Sequence, residues 1–352
     1  MGFLLAAAGS AIGLGNLWKF PYVAGSNGGA VFLILYLILL ILLGAPLLLT
    51  EMAVGRATRL NAIDACKAIH PRWGFVGAAG VVGAFVILSY YSVIGGWVLK
   101  YLFAYLRHSS LGDADTYYTG FITKPLEPVL WHLLFAACCF GIVAFGVSKG
   151  IERISKIFLP VLLITLIGIG GYALTLPGAA QGLRFLFLPD FSHIQSFSDL
   201  GTILVQAMGQ VFFSLSIGMG TLITYGSYLD KQANLQKNAV MIPLFDLIIA
   251  LLAGIAILPC VFSFGLEPSA GSGLLFRSLP YVFDHMTGGR WLAIAFFALV
   301  FIAAVTSAIS LLESIAAFFI DRLHWHRISA SGLATLCFAL IGVANSLSMG
   351  VW

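Results

Sequence analysis

The sequence predicts an all-α, polytopic membrane protein in which two of the membrane spans are interrupted. Apolar runs follow one another along nearly the whole 352-residue chain, 60% of the residues are hydrophobic, and glycine clusters interrupt two of the runs. Only 9% of the residues are charged, whereas soluble proteins carry about 25%, and the mean hydropathy is +1.02. This composition leaves no room for a sizeable soluble domain.

Charge and cysteine content exclude several classes of function. The net charge of +4 is small, and the basic residues are dispersed rather than grouped in a block, so we expect no nucleic-acid partner. The five cysteines are odd in number and show no C-x-x-C spacing. We therefore predict neither a disulfide framework nor a cysteine metal site.

Nine stretches are candidate membrane spans, since a helix needs about 20 apolar residues to cross the bilayer core. Charged residues and Pro/Gly-rich breaks delimit them. The candidates cover residues 3–24, 29–54, 75–106, 129–147, 154–175, 200–226, 238–264, 290–320 and 328–350. The third and eighth are long enough to tilt or to project beyond the bilayer.

The basic residues of the loops predict the orientation of the chain, because cytoplasmic loops carry an excess of Lys and Arg. With the N-terminus inside, eleven basic residues fall in inner loops and six in outer loops. The inner ones are Arg56, Arg59, Lys67, Arg72, Lys149, Arg153, Lys156, Lys231, Lys237, Arg322 and Arg327; the outer ones are Lys100, Arg107, Lys124, Arg184, Arg277 and Arg290. We therefore expect a cytoplasmic N-terminus. The outer loop 107–128 is expected to be an ordered surface segment, and the outer loop 265–289 a packed, partly helical lid.

Two glycine clusters, "SAIGLGN" at 10–16 and "SLSIGMGT" at 214–221, lie inside the first and sixth spans. Glycine is a poor helix former, although Gly9 and Gly13 also make a G-x-x-x-G helix-packing motif. Small hydroxyl and amide residues flank both clusters, and the clusters recur five spans apart, as an inverted repeat would produce. Irregular backbone at membrane depth must line a cavity, and paired breaks are typical of transporter binding sites. We predict that the first and sixth helices are unwound around a site.

Other polar residues lie deep in the spans, where each is costly unless it is paired or solvated. Asp246 is the only acid deep in the seventh span, Thr306 and Ser307 lie in the eighth, and Tyr91 lies far from both ends of the third. The two hydroxyls could simply bond to carbonyls of their own helix. Tyr91 could be an interfacial aromatic, although its depth argues against that. For Asp246 a functional role is favoured.

Two further acids, Glu51 and Glu313, lie closer to the cytoplasmic span ends. We expect them to pair with the nearby Arg56 or Arg322 at helix ends rather than to contact a substrate.

Six segments, in this order along the chain, resemble the neurotransmitter:sodium symporter family, particularly its bacterial amino-acid transporters. They are "AAAGSAIGLGNLWKFPY", "NGGAVFLILY", "PLLLTEMAVGR", "SYYSVIGGW", "GQVFFSLSIGMGTLITYGSY" and "AAVTSAISLLE". The resemblance covers essentially the whole chain. It implies one transmembrane transporter domain over 1–352 with the inverted five-helix-repeat (LeuT-like) fold, the first repeat at 1–175 and the second at 200–352. It also implies a non-enzymatic function, sodium-coupled import of a hydrophobic or neutral L-amino acid by alternating access, in the inner (cell) membrane.

The resemblance further implies two sodium sites built from hard oxygen ligands, which suit an alkali cation. The first would use the Ala11 carbonyl, the Asn16 amide, Ser214 and Asp246, completed by the substrate carboxylate. The second would use the carbonyls of Gly9, Ile12 and Ala303 and the hydroxyls of Thr306 and Ser307.

The substrate residues also follow from the resemblance. Ala11, Leu14 and Gly15 of the first span and the Tyr91 hydroxyl would meet the amino-acid backbone. The pocket for its side chain would be lined by Ile87, Phe213, Ser216, Met219 and Leu311, and Ser214 and Ser307 would also bind the substrate. Relatives that carry monoamines have an acid at the position of Gly13, so the glycine favours an α-amino acid, which brings its own carboxylate.

Chloride is not expected to be required. Many animal members of the family have a neutral residue at the position of Asp246 and bind a chloride near positions matching Tyr36, Gln210 and Ser214. Here the Asp246 carboxylate supplies a fixed negative charge, and we expect it to replace the chloride.

The chain starts within the first helix and ends after nine spans, so the second repeat lacks its tenth helix, and we expect a fragment. In the family a basic residue at the position of Lys19 pairs with an acid on that tenth helix, and this sequence holds no such partner. The fragment could be unable to transport. The sequence says nothing of the oligomeric state.

Two other classes of function stay open from the residues alone. An intramembrane aspartyl protease needs two carboxylates at one depth, and a serine protease needs a base, whereas Asp246 has no evident partner and His132 begins the fourth span. A cation channel can also be lined by broken helices, but a continuous polar pore lining is absent from the sequence.

Overall fold

The computed structural model describes residues 11–108, 110–146, 152–191, 196–230, 232–268, 271 and 273–349. Within these residues the chain is helical and contains no β-strand. The α-helices are α1 (Phe20–Ser26), α2 (Ala30–Leu39), α3 (Ala45–Thr58), α4 (Ala62–Ile69), α5 (Gly74–Arg107), α6 (Ala114–Ile122), α7 (Glu127–Ala144), α8 (Glu152–Ala173), α9 (Ala179–Phe187), α10 (Phe197–Ser214), α11 (Thr221–Ser227), α12 (Leu235–Ser263), α13 (Leu279–His285), α14 (Gly289–Leu323) and α15 (Arg327–Leu347). Turns of π-helix at Gly15–Lys19, Leu40–Gly44 and Leu274–Ser278 precede α1, α3 and α13, and a short 3₁₀ turn at Pro71–Trp73 precedes α5.

Six helices of the described chain are long and apolar enough to cross a membrane. They span Ala30–Thr58, Pro71–Arg107, Glu127–Ala144, Leu235–Ser263, Gly289–Leu323 and Arg327–Leu347. They correspond to the second, third, fourth, seventh, eighth and ninth predicted spans. The fifth predicted span corresponds to α8, which contains the apolar stretch Pro160–Ala173, and the first and sixth are broken.

The first break lies where the glycines predict it. The backbone bends at Ile12 and Gly13 and then continues as the π-helical turn Gly15–Lys19 into α1. A π-helical turn is uncommon and occurs mostly at functional sites. The predicted unwinding of the first span is therefore confirmed for the residues from 11 onward; Gly9 and Ser10 lie outside the described residues.

The second break separates α10 from α11 at residues 215–220. Gly218 and Gly220 adopt φ of +78° and +70°, in the left-handed region that only glycine enters without strain. Ser216 has φ of +56°, an uncommon conformation for a residue with a Cβ. The predicted unwinding of the sixth span is confirmed, while the left-handed Ser216 was not predicted.

The two breaks lie inside the bundle rather than at its edge. The long helices α5 and α14 pack along each other, and α12 packs against the π-helical turn of the first span. Ala303 and Leu312 of α14, Leu88 of α5 and Leu17 of the first span are fully buried in the same core. This packing surrounds the broken backbone with protein, as irregular backbone at membrane depth requires.

The described parts of the two segments at the C-terminal end of α5 contain helical structure. Loop 107–128 contains α6, and segment 265–289 contains a π-helical turn and α13, so a surface segment and a partly helical lid are both present. The lid is fastened to two spans: the Trp18 indole N–H donates to the Gly271 carbonyl at 2.9 Å, and the Tyr101 hydroxyl donates to the Phe276 carbonyl at 2.9 Å. The short helices α4 and α9 were not predicted.

Candidate binding site at the two helix breaks

Asn16 ties the first break to α12. Its side-chain amide donates to the Asp246 carboxylate at 2.7 Å and to the Asp246 backbone carbonyl at 3.1 Å. Its amide oxygen accepts the backbone N–H of Gly13 at 3.1 Å. One side chain therefore bonds to the backbone at the break and also places that backbone beside an acid.

Asp246 is completely buried and its carboxylate accepts three side-chain hydrogen bonds. Besides Asn16, the Ser214 hydroxyl donates to Oδ1 at 2.6 Å and the Tyr36 hydroxyl donates to Oδ2 at 2.8 Å. A buried carboxylate is costly unless it is hydrogen-bonded or near positive charge. Donors from the first, second and sixth spans thus converge on one charge in the seventh.

Tyr91 of α5 lies against the first break, with 3% of its surface exposed. Its hydroxyl oxygen accepts the backbone N–H of Leu14 at 3.2 Å. The residue is thus fully inside the bundle, and the interfacial-aromatic alternative is wrong. Because the oxygen accepts from Leu14, the hydroxyl hydrogen can be directed at a second group.

Thr306 of α14 connects the eighth span to the first break. Its hydroxyl lies 3.0 Å from the Ala303 carbonyl and 3.2 Å from the Ile302 carbonyl. Such bonds to carbonyls of its own helix are the alternative to a ligand role that the sequence left open. It also lies 3.5 Å from the Ile12 carbonyl across the helix interface. Three oxygens of the predicted second sodium site are therefore neighbours.

A small cavity of about 310 Å³ lies between the breaks. It is lined by Ala11, Gly13, Gly15, Ile87, Tyr91, Phe213, Ser214, Ser216, Met219, Ser307 and Leu311. Ten of the eleven predicted substrate residues are in this lining; the exception is Leu14, whose backbone N–H meets Tyr91 just outside it. Their role in binding stays a prediction.

Gly13 lines the cavity, although it was not among the predicted substrate residues. A Cβ built there would overlap the Ser307 hydroxyl and would lie 3.0 Å from the Tyr91 hydroxyl oxygen. Both neighbours come from distant spans, so no local signal in the sequence reveals this requirement. Glycine here therefore also provides the room for Ser307 and Tyr91 at the cavity.

Gln210 differs from the other two residues that match the family's chloride positions. Tyr36 and Ser214 both donate to Asp246, whereas the Gln210 amide donates to the Gly15 carbonyl at 2.8 Å. Two of these three residues therefore donate to the Asp246 carboxylate, and Gln210 donates to the first break instead.

The expected pairing of Glu51 and Glu313 with Arg56 or Arg322 is wrong. Glu51 accepts the backbone N–H of Gly218 at 2.7 Å, which the second break frees. Arg56 instead donates to the Ala233 carbonyl at 2.7 Å, and Arg322 pairs with Asp64 at 2.6 Å.

Glu313 is fully buried and pairs with Arg327 at 2.6 Å across the turn between α14 and α15. Tyr228, which follows α11, donates to the same carboxylate at 2.8 Å. The acid therefore connects the end of the sixth span to the eighth and ninth spans.

Lys19 lies above the cavity. Its ammonium group is 4.1 Å from the ring centroid of Phe213, a cavity-lining residue. A cation over an aromatic face is attracted by the ring quadrupole. Lys19 is the basic residue for which the sequence offers no acidic partner.

Comparison with known proteins identifies the class to which this fold and site belong. The sequence matches the sodium:neurotransmitter symporter family over residues 1–114 and 124–351. The chain belongs to the sodium:neurotransmitter symporter family. It is accordingly a membrane transporter and not an enzyme, which confirms the resemblance and removes the protease alternatives.

Individual relatives agree with this assignment. The uncharacterized sodium-dependent transporter YhdH of Bacillus subtilis is 42% identical over 100% of this chain and 78% of its own length. An uncharacterized sodium-dependent transporter of Haemophilus influenzae is 40% identical over 97% of this chain and 77% of its own. The crystal structure of MhsT in complex with L-phenylalanine is similar with a TM-score of 0.93 and 44% identity, over 99% of this chain and 80% of that one. The predicted fold class is therefore confirmed.

Proposed function

We propose that the protein is a sodium-coupled symporter that imports a hydrophobic or neutral L-amino acid by alternating access. The observation that carries the proposal is the buried Asp246 carboxylate, held by Asn16 and Ser214 where both breaks meet, beside a cavity of about 310 Å³. The names of the bacterial relatives and the phenylalanine bound to MhsT support the same assignment.

The first sodium ion would bind among Asp246, Asn16, Ser214 and the Ala11 carbonyl. These are hard oxygen donors, as an alkali cation prefers, and three of them already form one hydrogen-bonded group. Because Ser214 also lines the cavity, a substrate carboxylate placed there would lie next to the ion. Occupation of the first site and of the cavity would then be coupled by direct attraction of opposite charges.

The second sodium ion would bind between the first break and α14. The oxygens of Ile12, Ala303 and Thr306 are neighbours there, and Ser307 lies on the same helix, one residue further. Gly9, the remaining ligand expected from the family, is outside the described residues. An ion at this position would join the moving first span to α14.

The substrate side chain would occupy the apolar part of the cavity. Ile87, Phe213, Met219 and Leu311 supply apolar walls, and Met219 is flexible enough to accommodate side chains of different shape. The substrate carboxylate would accept from the Tyr91 hydroxyl and from backbone N–H groups at the first break, while the described lining of the cavity contains no acid for an isolated amine. An α-amino acid satisfies this arrangement and a monoamine does not.

The membrane potential makes two-sodium coupling effective. Each positive charge that moves inward gains about 2.3 kcal/mol per 100 mV. Two such charges support accumulation on the order of a thousandfold, at about 1.4 kcal/mol per tenfold. Import into the cell requires that the N-terminus lies on the cytoplasmic side of the inner (cell) membrane, and the distribution of basic residues in the loops favours this orientation. The Asp246 charge makes a chloride unnecessary.

Uptake by proteoliposomes tests the proposal. With an inward sodium gradient and an inside-negative potential, we expect the vesicles to accumulate radiolabelled Leu, Met, Phe or Trp. Replacing external sodium with potassium at the same potential should abolish accumulation. Equal uptake in sodium and potassium would contradict sodium coupling.

Removing the two hydroxyls of the second site is expected to weaken sodium binding. The double substitution Thr306→Ala with Ser307→Ala removes two ligands but leaves Asp246 and Asn16 in place. The sodium concentration for half-maximal substrate binding in a scintillation assay should rise. Ser310→Ala, one turn further along α14, is the matched control, since it removes a hydroxyl of the same helix that is not among the predicted sodium ligands and donates to the Ser307 carbonyl. An unchanged sodium dependence in the double variant would refute the second site.

A further inference from the structure

A basic groove lies at the C-terminal end of α5, far from the ion site. One cavity of about 450 Å³ is lined by Lys100, Phe103, Ala104, Arg107, His108, Tyr117 and Trp131. A second, of about 470 Å³, is lined by Lys100, Thr116, Tyr117, Gly120, Phe121, Lys124 and Glu127. The two share Lys100 and Tyr117, so they are neighbouring parts of one groove between α5, α6 and α7.

The groove carries an excess of positive charge. Glu127 is the one acid in its lining, and it pairs with Lys100 at 2.5 Å and with Lys124 at 2.8 Å. Among the described residues, no carboxylate lies within ion-pair distance of Arg107, the last residue of α5. With three cations and one carboxylate, the lining attracts an anion.

The floor of the groove is aromatic and apolar. Phe103 and Trp131 pack with ring centroids 5.3 Å apart, and the Lys100 ammonium lies 5.8–6.0 Å from the rings of Tyr117, Phe121 and Trp131. Phe103 is 39% exposed and its neighbour Leu106 is 49% exposed. A small hydrophilic anion would gain nothing from this surface, whereas an acyl chain would be buried on it.

The position of the groove selects its occupant. It lies where the membrane-spanning helix α5 ends and the membrane-spanning helix α7 begins. At the ends of membrane spans, aromatic and basic residues meet lipid headgroups. Basic pockets between spans on the cytoplasmic side bind anionic headgroups, and the same charge attraction acts on anionic lipid in the outer leaflet, where the loop charges place this groove. We propose that the groove binds an anionic phospholipid, with its phosphate between Arg107 and the Lys100–Lys124 side and an acyl chain along Phe103 and Trp131.

Tryptophan quenching by brominated lipids tests this site in the full chain. The protein is placed in phosphatidylcholine nanodiscs that contain increasing fractions of phosphatidylglycerol with brominated acyl chains, and the Trp131 signal is the difference between native protein and Trp131→Phe. We expect brominated phosphatidylglycerol to quench this signal at a lower mole fraction than brominated phosphatidylcholine does. Identical curves for the two lipids would overturn the proposal.

Charge variants assign the selectivity to the groove. Arg107→Gln should raise the phosphatidylglycerol fraction for half-maximal quenching about fivefold, which corresponds to about 1 kcal/mol per basic residue near an anionic membrane surface. Lys124→Gln is a second variant with the same expected direction. Arg184→Gln removes a basic residue that the sequence also places in an outer loop, outside the groove, and should change nothing. If the phosphatidylglycerol fraction for half-maximal quenching is the same for Arg107→Gln, Lys124→Gln and Arg184→Gln, the proposed site is contradicted.

Discussion

Replacing Asp246 with Asn is expected to abolish sodium-driven uptake in chloride-free medium. The substitution keeps the side-chain shape but removes the negative charge that Asn16, Ser214 and Tyr36 surround. The two sodium ions and the zwitterionic substrate would then have one more uncompensated positive charge inside the bundle, which is costly at membrane depth. Loss of one charge from a buried, hydrogen-bonded group costs about 2 kcal/mol or more, or roughly thirtyfold in affinity.

Chloride should distinguish the role of this charge from a simple loss of structure. If Asp246 takes the place of a chloride, native uptake should be the same in chloride and in gluconate, and any uptake left in Asp246→Asn should require chloride. Asp230→Asn, the same change at an exposed residue, is the matched control and should behave like the native protein. Strong chloride dependence of native uptake would contradict the account.

Replacing Gly13 with Ala is expected to weaken substrate binding about fivefold or more. The added Cβ would overlap the Ser307 hydroxyl and crowd the Tyr91 hydroxyl oxygen at 3.0 Å, and overpacking costs about 1–3 kcal/mol. Both neighbours line the cavity, so the side chains have to move away from the positions proposed for substrate contact. Equilibrium binding of radiolabelled substrate measures the effect.

Two controls separate this contact from general damage. Gly83→Ala on α5 adds the same methyl group where nothing lies within 4 Å, and it should leave binding unchanged. Ser307→Ala removes the hydroxyl that the new Cβ overlaps. The thermal destabilisation caused by Gly13→Ala should therefore be smaller in the Ser307→Ala background than in the native one. Strictly additive effects would show that the overlap is not the cause.

The sequence predicts local features of this fold well because they depend on local chemistry. The two breaks follow from glycine clusters in apolar runs, and Gly218 and Gly220 do adopt left-handed backbone conformations. Asp246 stands out because an acid deep in a span needs partners. The identity of the hydrogen-bond donors to Asp246 depends on the tertiary structure. Asn16 and Ser214 were predicted as its neighbours from the resemblance to a known family and not from periodicity.

The errors concern partners that depend on three-dimensional packing. Glu51 accepts a hydrogen bond from the backbone N–H of Gly218, which is available because the sixth span is broken there. Glu313 pairs with Arg327 rather than Arg322, since the chain reverses between α14 and α15 with His324 in a left-handed conformation. The space that Gly13 leaves for Ser307 is equally invisible in one sequence, because almost three hundred residues separate them. Proximity in sequence is a poor guide to pairing in such a bundle.

Counting the ions that move with each substrate tests the central claim most directly. In the same proteoliposomes, initial rates of radiolabelled sodium and amino-acid entry are measured together at a fixed inside-negative potential. The account predicts that substrate stimulates sodium entry with two sodium ions per amino acid, and that the stimulation is lost in Asp246→Asn without chloride. Substrate entry without any accompanying sodium entry would contradict it.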